Sequence, residues 1–353
     1  MEYTKYRPQN EGGVAAMAVA VNRAAIMDGL AQAVSLLPEA MALGRELGPK
    51  IDRIYLVAHG SANRAMLGLQ YWIEHFSPTI EVRRYFPSEL MAQNPRRLDE
   101  RTLVLLASKS GTTPETVAAA EWLQDKPCRT VGFSLHGDKP LAQKVETRFL
   151  AGPTDESFIA MYMLMQALVG GILAAKDGWE LDAKLLRSLQ ALPGAVADAA
   201  EQNDRRAAED ARIYKDDRIL YHVASGPGFT TAYVFGVCIL MEMLWMHSYP
   251  IEAAEFFHGP FEIVDQNTPL ILILGEDPSR PLMERVVRFC EKYTERLMIY
   301  DARDFAMPGI DPEIRPLVAP YILQSALKRF SARLSVWHNQ PLTTRRYMWK
   351  TEY

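Results

Sequence analysis

The chain has 353 residues, 48% of them hydrophobic and 23% charged, and a net charge of −4. That length suffices for two ordinary domains with substantial cores, and the charge, with no basic run at either end, points away from nucleic-acid and anionic-membrane partners. Cys128, Cys238 and Cys290 lie far apart with no CxxC or Cys/His spacing, so neither a disulfide framework nor a zinc site is expected.

In chain order, the first residues make a poor secretory signal, because polar residues 9–13 follow directly and Asn22 and Arg23 break the apolar part after them. No window approaches the about 18 apolar residues needed to span a bilayer, so the cytoplasm is the expected compartment. Residues 14–47 read as helical, with Pro38 as a start or kink. Residues 52–61 then resemble residues 217–226: each is a short apolar run ending in Gly and small polar residues, followed by an apolar helical stretch (65–76 and 232–247). Run, Gly turn and helix open a βα unit, so the chain reads as two duplicated halves. The first half continues with strand 102–108, helix 114–122 and strand 129–134. The second continues with strand 270–275, helix 281–293 and strand 297–300. Alternating strands and helices imply parallel sheets covered on both faces, with ligands at the carboxyl ends of the strands. The expected division is a helical segment 1–48, a first α/β domain 49–179, helical linker 180–213, a second domain 214–338 with a last helix at 319–334, and an aromatic, basic tail 339–353.

Two constellations carry chemistry. Ser108, Lys109, Ser110, Gly111, Thr112 and Thr113 follow a buried-type strand and lead into Pro114. Thr113 suits an N-cap and Pro114 a first helical position, so hydroxyls and free backbone N–H groups would converge on an anion, with Lys109 adding charge. A plain Ser/Thr helix cap is the competing reading. The ending is not that of a P-loop, and Gly226-Pro227-Gly228 does not continue as GxGxxG, so no nucleotide cofactor is expected. The second constellation is Glu242, alone among Val237–Met246, with His258 on a turn before Gly259-Pro260. A carboxylate in an apolar helix has its pKa pushed up, which suits a group that takes and returns a proton near neutral pH; the plainer alternative is a Glu that reaches the surface or an Arg. His247, read as lying on the same helix, is the weaker imidazole candidate, and Glu252, Glu255 and Glu262 are possible helpers.

These residues resemble a known family. Residues 104–115, with Ser108, Ser110 and Thr113, look like the sugar-phosphate loop of SIS (sugar isomerase) domains. The spacing of Glu242 and His258, with His258-Gly259-Pro260, is similar to the isomerase domain of glucosamine-6-phosphate synthase. Residues 214–217, 223–226, 241–243, 255–263 and the ending 341–350 resemble the 6-phosphofructosyl-amino-acid deglycases more narrowly. The resemblance covers about residues 51–353. It implies two flavodoxin-like tandem SIS domains, a homodimer with the active site near the subunit interface, no metal, Glu242 and His258 as the acid/base pair, and phosphate held by Ser108, Ser110 and Thr113. Ser61 is carried over as a further phosphate ligand, although the turn 59–63 is more compact than the family's. Lys109, Glu255, Arg345 and Arg346 are candidate substrate contacts, the two arginines for the amino acid's carboxylate. The first 50 residues match nothing in the family, and Lys350 does not stand at the synthase's Schiff-base lysine position. The implied activity is cleavage of a 6-phosphofructosyl amino acid to glucose 6-phosphate and the amino acid. An amino-sugar-phosphate isomerase or deaminase shares the same parts, and a non-enzymatic sugar-phosphate sensor would lack the need for both Glu242 and His258.

Overall fold

The structure is a computed structural model and describes residues 19–352; the part of the expected first helix at 14–18 lies outside them. β1 (Arg53–Ala58), β2 (Glu81–Tyr85), β3 (Thr102–Ala107), β4 (Arg129–Ser134) and β5 (Thr147–Leu150) form one sheet in the order β2-β1-β3-β4-β5. β6 (Ile219–Ala224), β7 (His247–Glu252), β8 (Leu270–Leu274) and β9 (Leu297–Asp301) form a second, ordered β7-β6-β8-β9. Every pairing is parallel. The expectation of two doubly wound parallel sheets is borne out. β1, β3 and β8 are buried at every residue, which is what unbroken apolar runs require when helices cover both faces. β2, β5 and β7, which the apolar pattern did not announce, are edge strands of mixed burial. Half-exposed edges carry polar residues such as Arg83 and Arg84, and so hide from a search for apolar runs.

Four long helices clamp the sheets. Asn22 caps Arg23–Leu47, its side-chain oxygen accepting from the Ala25 N–H at 3.0 Å, and Pro38 sits inside this helix without ending it. Ser157–Asp177 corrects the expectation that no segment could span a bilayer: its mean hydropathy is 1.9, and Arg23–Lys50 also passes on length and composition. Its physical explanation is a core helix, 89% buried in its apolar window. Gly44 and Gly171 let these two helices touch backbone to backbone, since a Cβ on either would collide with a carbonyl oxygen of the other helix. The expected helical linker is a single helix, Asp182–Tyr214. It packs on Arg315–Trp337, where the Asn203 amide donates to the Ala326 carbonyl at 2.8 Å and the Ser325 hydroxyl to the Val196 carbonyl at 2.8 Å.

The repeat seen in the sequence is realised as two equivalent units. β1 runs into helix Gly60–Phe76, and β6 into a continuous helix Gly228–Leu244. These two helices pack on each other between the sheets, with the Thr230 hydroxyl donating to the Arg64 carbonyl at 2.7 Å. The second helix widens into a π-helical stretch, Val234–Met241, and stops after Leu244, because Trp245 is left-handed at φ 56°. His247 therefore opens strand β7 and is not on the helix that carries Glu242.

Candidate active site

In the first sheet the chain winds outward in opposite directions from β1 and β3, which are neighbours. Helix Gly60–Phe76 joins the core cluster on one face, while Ala119, Ala120 and Leu123 of helix Pro114–Leu123 join the cluster on the other. The two connections part at the carboxyl ends of β1 and β3 and leave a crevice there, flanked by two helix N-termini. The loop Ser108–Thr113 lies along it. Ser108 is buried, 4% exposed; its hydroxyl lies 2.9 Å from that of Thr113 and accepts from the Gly111 N–H at 3.1 Å. Ser110 accepts from the N–H and hydroxyl of Thr112 at 3.2 and 3.0 Å. Gly111 needs its φ of 68°, and a Cβ there would lie 2.9 Å from the Ser134 hydroxyl, a buried group with no partner. Thr113 stands at the N-cap but turns its hydroxyl to Ser108 instead of capping, so the first N–H groups of the helix stay uncapped by it. Ser61 is half-buried in the first turn of Gly60–Phe76, on the opposite lip of the crevice.

Glu242 reaches the same region from the other half. Burial pushes its pKa up; Arg345 and, more weakly, Lys109 pull it back. The field of Lys109 on Glu242 ties the phosphate-type loop to the carboxylate. Arg345 Nη2 donates to Glu242 Oε1 at 2.7 Å, so the tail closes over this carboxylate. The tail is fastened by Gln340, whose amide donates to the Met243 carbonyl at 2.6 Å, and by Arg346, stacked 4.1 Å from the Trp245 ring centre. Lys350 donates to the Arg345 carbonyl at 2.6 Å.

His258 stands on a different segment from Glu242. His258 is exposed on the turn after helix Ala253–Phe256, where its N–H donates to the Glu255 carbonyl at 2.9 Å and Gly259 takes a φ of 136°. Among the described residues no hydrogen bond links His258, or the exposed Glu255, to Glu242, whose carboxylate is held by Arg345 instead.

Other groups gain their partners only in three dimensions, among them Glu252, a possible helper by sequence. Glu252, at the end of β7, is pushed up to about 7 by burial, against the pull of Arg64 and Arg84. Arg84 is itself lowered by burial and donates to the Asn63 side chain, while Arg64 stacks 3.8 Å from the Tyr233 ring centre. Burial pushes the Cys238 thiol, one turn before Glu242, up to about 12, which leaves it a neutral wall group. A cavity of about 810 Å³ adjoins the crevice and the tail; its lining includes Lys109, His136, Asp28, Asp155, Lys328 and Leu342.

No family model matches the chain. It is 35% identical over 308 residues to the fructosamine deglycase FrlB of Bacillus subtilis (strain 168), covering 87% of this chain and 94% of that one. The chain belongs to the fructosamine deglycase family. It is also 34% identical over 302 residues to the agropine synthesis conjugase of Rhizobium rhizogenes, covering 83% and 84%. A crystal structure of a putative phosphosugar isomerase from Bacillus subtilis superposes with a TM-score of 0.86 at 34% identity, over 92% of this chain and all of that one. The tandem SIS architecture expected from the sequence is thereby established.

This deglycase-family chain has a second crevice, between β6 and β8, and fills it from within. The Asp277 carboxylate, 3% exposed, accepts from the N–H of Ser279 at 3.0 Å and from its hydroxyl, and that hydroxyl also lies 2.8 Å from Ser225. A built-in carboxylate thus occupies donors that an outside anion would need at this crevice. The loop after β8, with its Glu276-Asp277 step, signalled this in the sequence. Among the described residues, no group of three or more His, Cys, Asp or Glu is placed to hold a metal.

Proposed function

We propose that the chain cleaves a 6-phosphofructosyl amino acid to glucose 6-phosphate and the free amino acid. The observation that carries this reading is a half-buried carboxylate of raised pKa, Glu242, within the field of a hydroxyl-rich loop at a helix N-terminus. The deglycase relative at 35% identity supports the same chemistry. Ser108, Ser110, Thr113 and Ser61, with the helix N-terminus and Lys109, grip the 6-phosphate and fix C1 and C2 beside Glu242. His258 moves the proton that opens the sugar ring. Glu242 takes a proton from C1 while the C2 oxygen is protonated, giving the 1,2-enaminol. The protonated Glu242 returns its proton to C2, leaving an imine at C1. One water adds to C1 and the amine departs, so the aldehyde of glucose 6-phosphate and the amino acid are released.

The site is read as shared between two copies of the chain. His258 is exposed in one chain, and so are Met241, Trp245, Tyr249 and Ile263 from the same half, at 40 to 59% exposure. Apolar side chains left open around a half-built site fit a homodimer that covers them.

A conjugase relative of nearly equal identity favours a second reading, in which the same steps run towards condensation of an aldose phosphate with an amino acid. The first experiment is a coupled dehydrogenase assay for glucose 6-phosphate, with the 6-phosphofructosyl adducts of aspartate, lysine, glutamine and glycine. Glucosamine 6-phosphate serves as comparator. Release from one adduct establishes the deglycase and names its amino acid. Silence on the adducts, with ketosamine formed from glucose 6-phosphate and an amino acid, selects the synthetic direction; turnover of glucosamine 6-phosphate alone selects an isomerase or deaminase.

A further inference from the structure

The tail holds a guanidinium whose hydrogen-bonding capacity is only partly used. The Arg345 side chain is 9% exposed. Its Nη1 donates to the carbonyls of Leu342 at 3.0 Å and Thr344 at 2.8 Å, and its central carbon lies 5.3 Å from the Trp349 ring centre. Its Nη2 donates to Glu242, while its Nε–H is buried with no partner. Nε and Nη2 form the edge through which a guanidinium grips a carboxylate by two parallel bonds. Glu242 occupies half of that edge. A buried N–H without an acceptor is unfavourable, and because Nη1 is pinned by the tail's own carbonyls, the edge is presented in a fixed direction.

We propose that this edge is the receptor for the substrate's α-carboxylate, which takes both Nε–H and Nη2–H and thereby releases Glu242 from Arg345 to act on C1. The proposal rests on the deglycase reading of the site. It makes recognition and base strength one event. The groups acting on Glu242 are Arg345 from the tail, Lys109 from the phosphate loop and burial itself, with the Cys238 thiol beside it on its own helix. Once the substrate's carboxylate neutralises Arg345, the largest opposition to burial is gone, and Glu242 becomes the stronger base. A sugar phosphate that carries no amino acid leaves Glu242 tied to the tail.

The test uses the full chain as wild type, Arg345→Lys and Arg345→Met, with melting temperature recorded for each. Two substrates are compared: the ketosamine 6-phosphate of the best amino acid in the panel, and that of the amine left when hydrogen replaces its α-carboxylate. The wild type is expected to prefer the carboxylated adduct by about 10- to 100-fold in kcat/KM, the range of a charge-assisted pair. Arg345→Met loses most of that preference, yet turns over the decarboxylated adduct faster than the wild type, because Glu242 is no longer tied down. Its acid limb in kcat/KM also moves to higher pH, and Arg345→Lys falls between the two. Equal slowing of both adducts by Arg345→Met, or a wild type indifferent to the carboxylate, overturns the proposal while the deglycase reading stands. No glucose 6-phosphate from either adduct overturns both.

Discussion

Glu242 and Glu252 are two carboxylates of the second half whose pKa values are raised chiefly by burial, and they serve as controls for each other. In the proposed mechanism Glu242 must be ionised to take the C1 proton, so kcat/KM is expected to fall as pH drops through its pKa, with the limb above the ordinary carboxylate range. Glu242→Gln is expected to lower kcat by about 10²- to 10⁴-fold while phosphate-dependent binding survives in a calorimetric titration; full activity in the Gln variant would remove Glu242 from the role. Glu252 shows itself in stability. Its pKa in the fold, about 7, exceeds that of the unfolded chain, so the native state binds more protons in between and stability falls as pH rises towards 7. Glu252→Gln is therefore expected to raise the melting temperature at pH 8 relative to the wild type, with a smaller difference at pH 5. His222, buried and pushed down to about 3, acts with the opposite sign, losing stability as pH falls below the ordinary imidazole range. It is common to both proteins and cancels in the comparison.

Among the elements, helix Gly228–Leu244 is the one that carries the proposed base. Its π-helical turns shift the phase of everything after Val234, and Glu242 is the first residue beyond them. Gly236 lies within those turns, where a Cβ would come 2.5 Å from the Ser248 hydroxyl and 3.4 Å from His222 Nδ1. Gly236→Ala is expected to destabilise by about 1–3 kcal/mol through overpacking, and to lower kcat by displacing Glu242. Adding Ser248→Ala should return part of the stability, although it gives up the 3.1 Å contact between Ser248 and His222; additive losses in urea denaturation would contradict this packing account. The same helix marks how far sequence could be read. Ser108 to Thr113 was legible because strand, hydroxyls and helix start are consecutive, and Glu242 because a charge stands out in an apolar run. The Trp245 stop was not, since nothing local announces a left-handed Trp, and His247 was consequently placed on the wrong element. Arg64 and Arg84 have meaning only through neighbours far away in the chain, and edge strands β2 and β7 had no apolar run to reveal them. Arg345 stood out in the sequence as a candidate for the substrate's carboxylate, while its pairing with Glu242 did not.

At the scale of the molecule, one chain supplies a hydroxyl-lined crevice, the half-buried Glu242 proposed as base and a tail that covers it, but it leaves His258 in solvent. If two chains complete each site, a variant lacking the base and a variant lacking the imidazole complement each other. Glu242→Gln and His258→Ala homodimers are each expected to be nearly inactive. After mixing, denaturing and refolding together, half the dimers pair one of each. Every such dimer holds one site with both defects and one site with neither, so about a quarter of wild-type activity should return. Light scattering on the refolded mixture checks that the dimer is the species measured. If each chain instead builds its own site, every site in every dimer keeps one defect, and mixing restores nothing. Deleting residues 343–353 in the mixture then asks whose tail closes which site. Because Arg345 bonds Glu242 of its own chain, truncating the His258→Ala partner, which supplies the intact Glu242, should abolish the recovered activity. Truncating the Glu242→Gln partner should leave it.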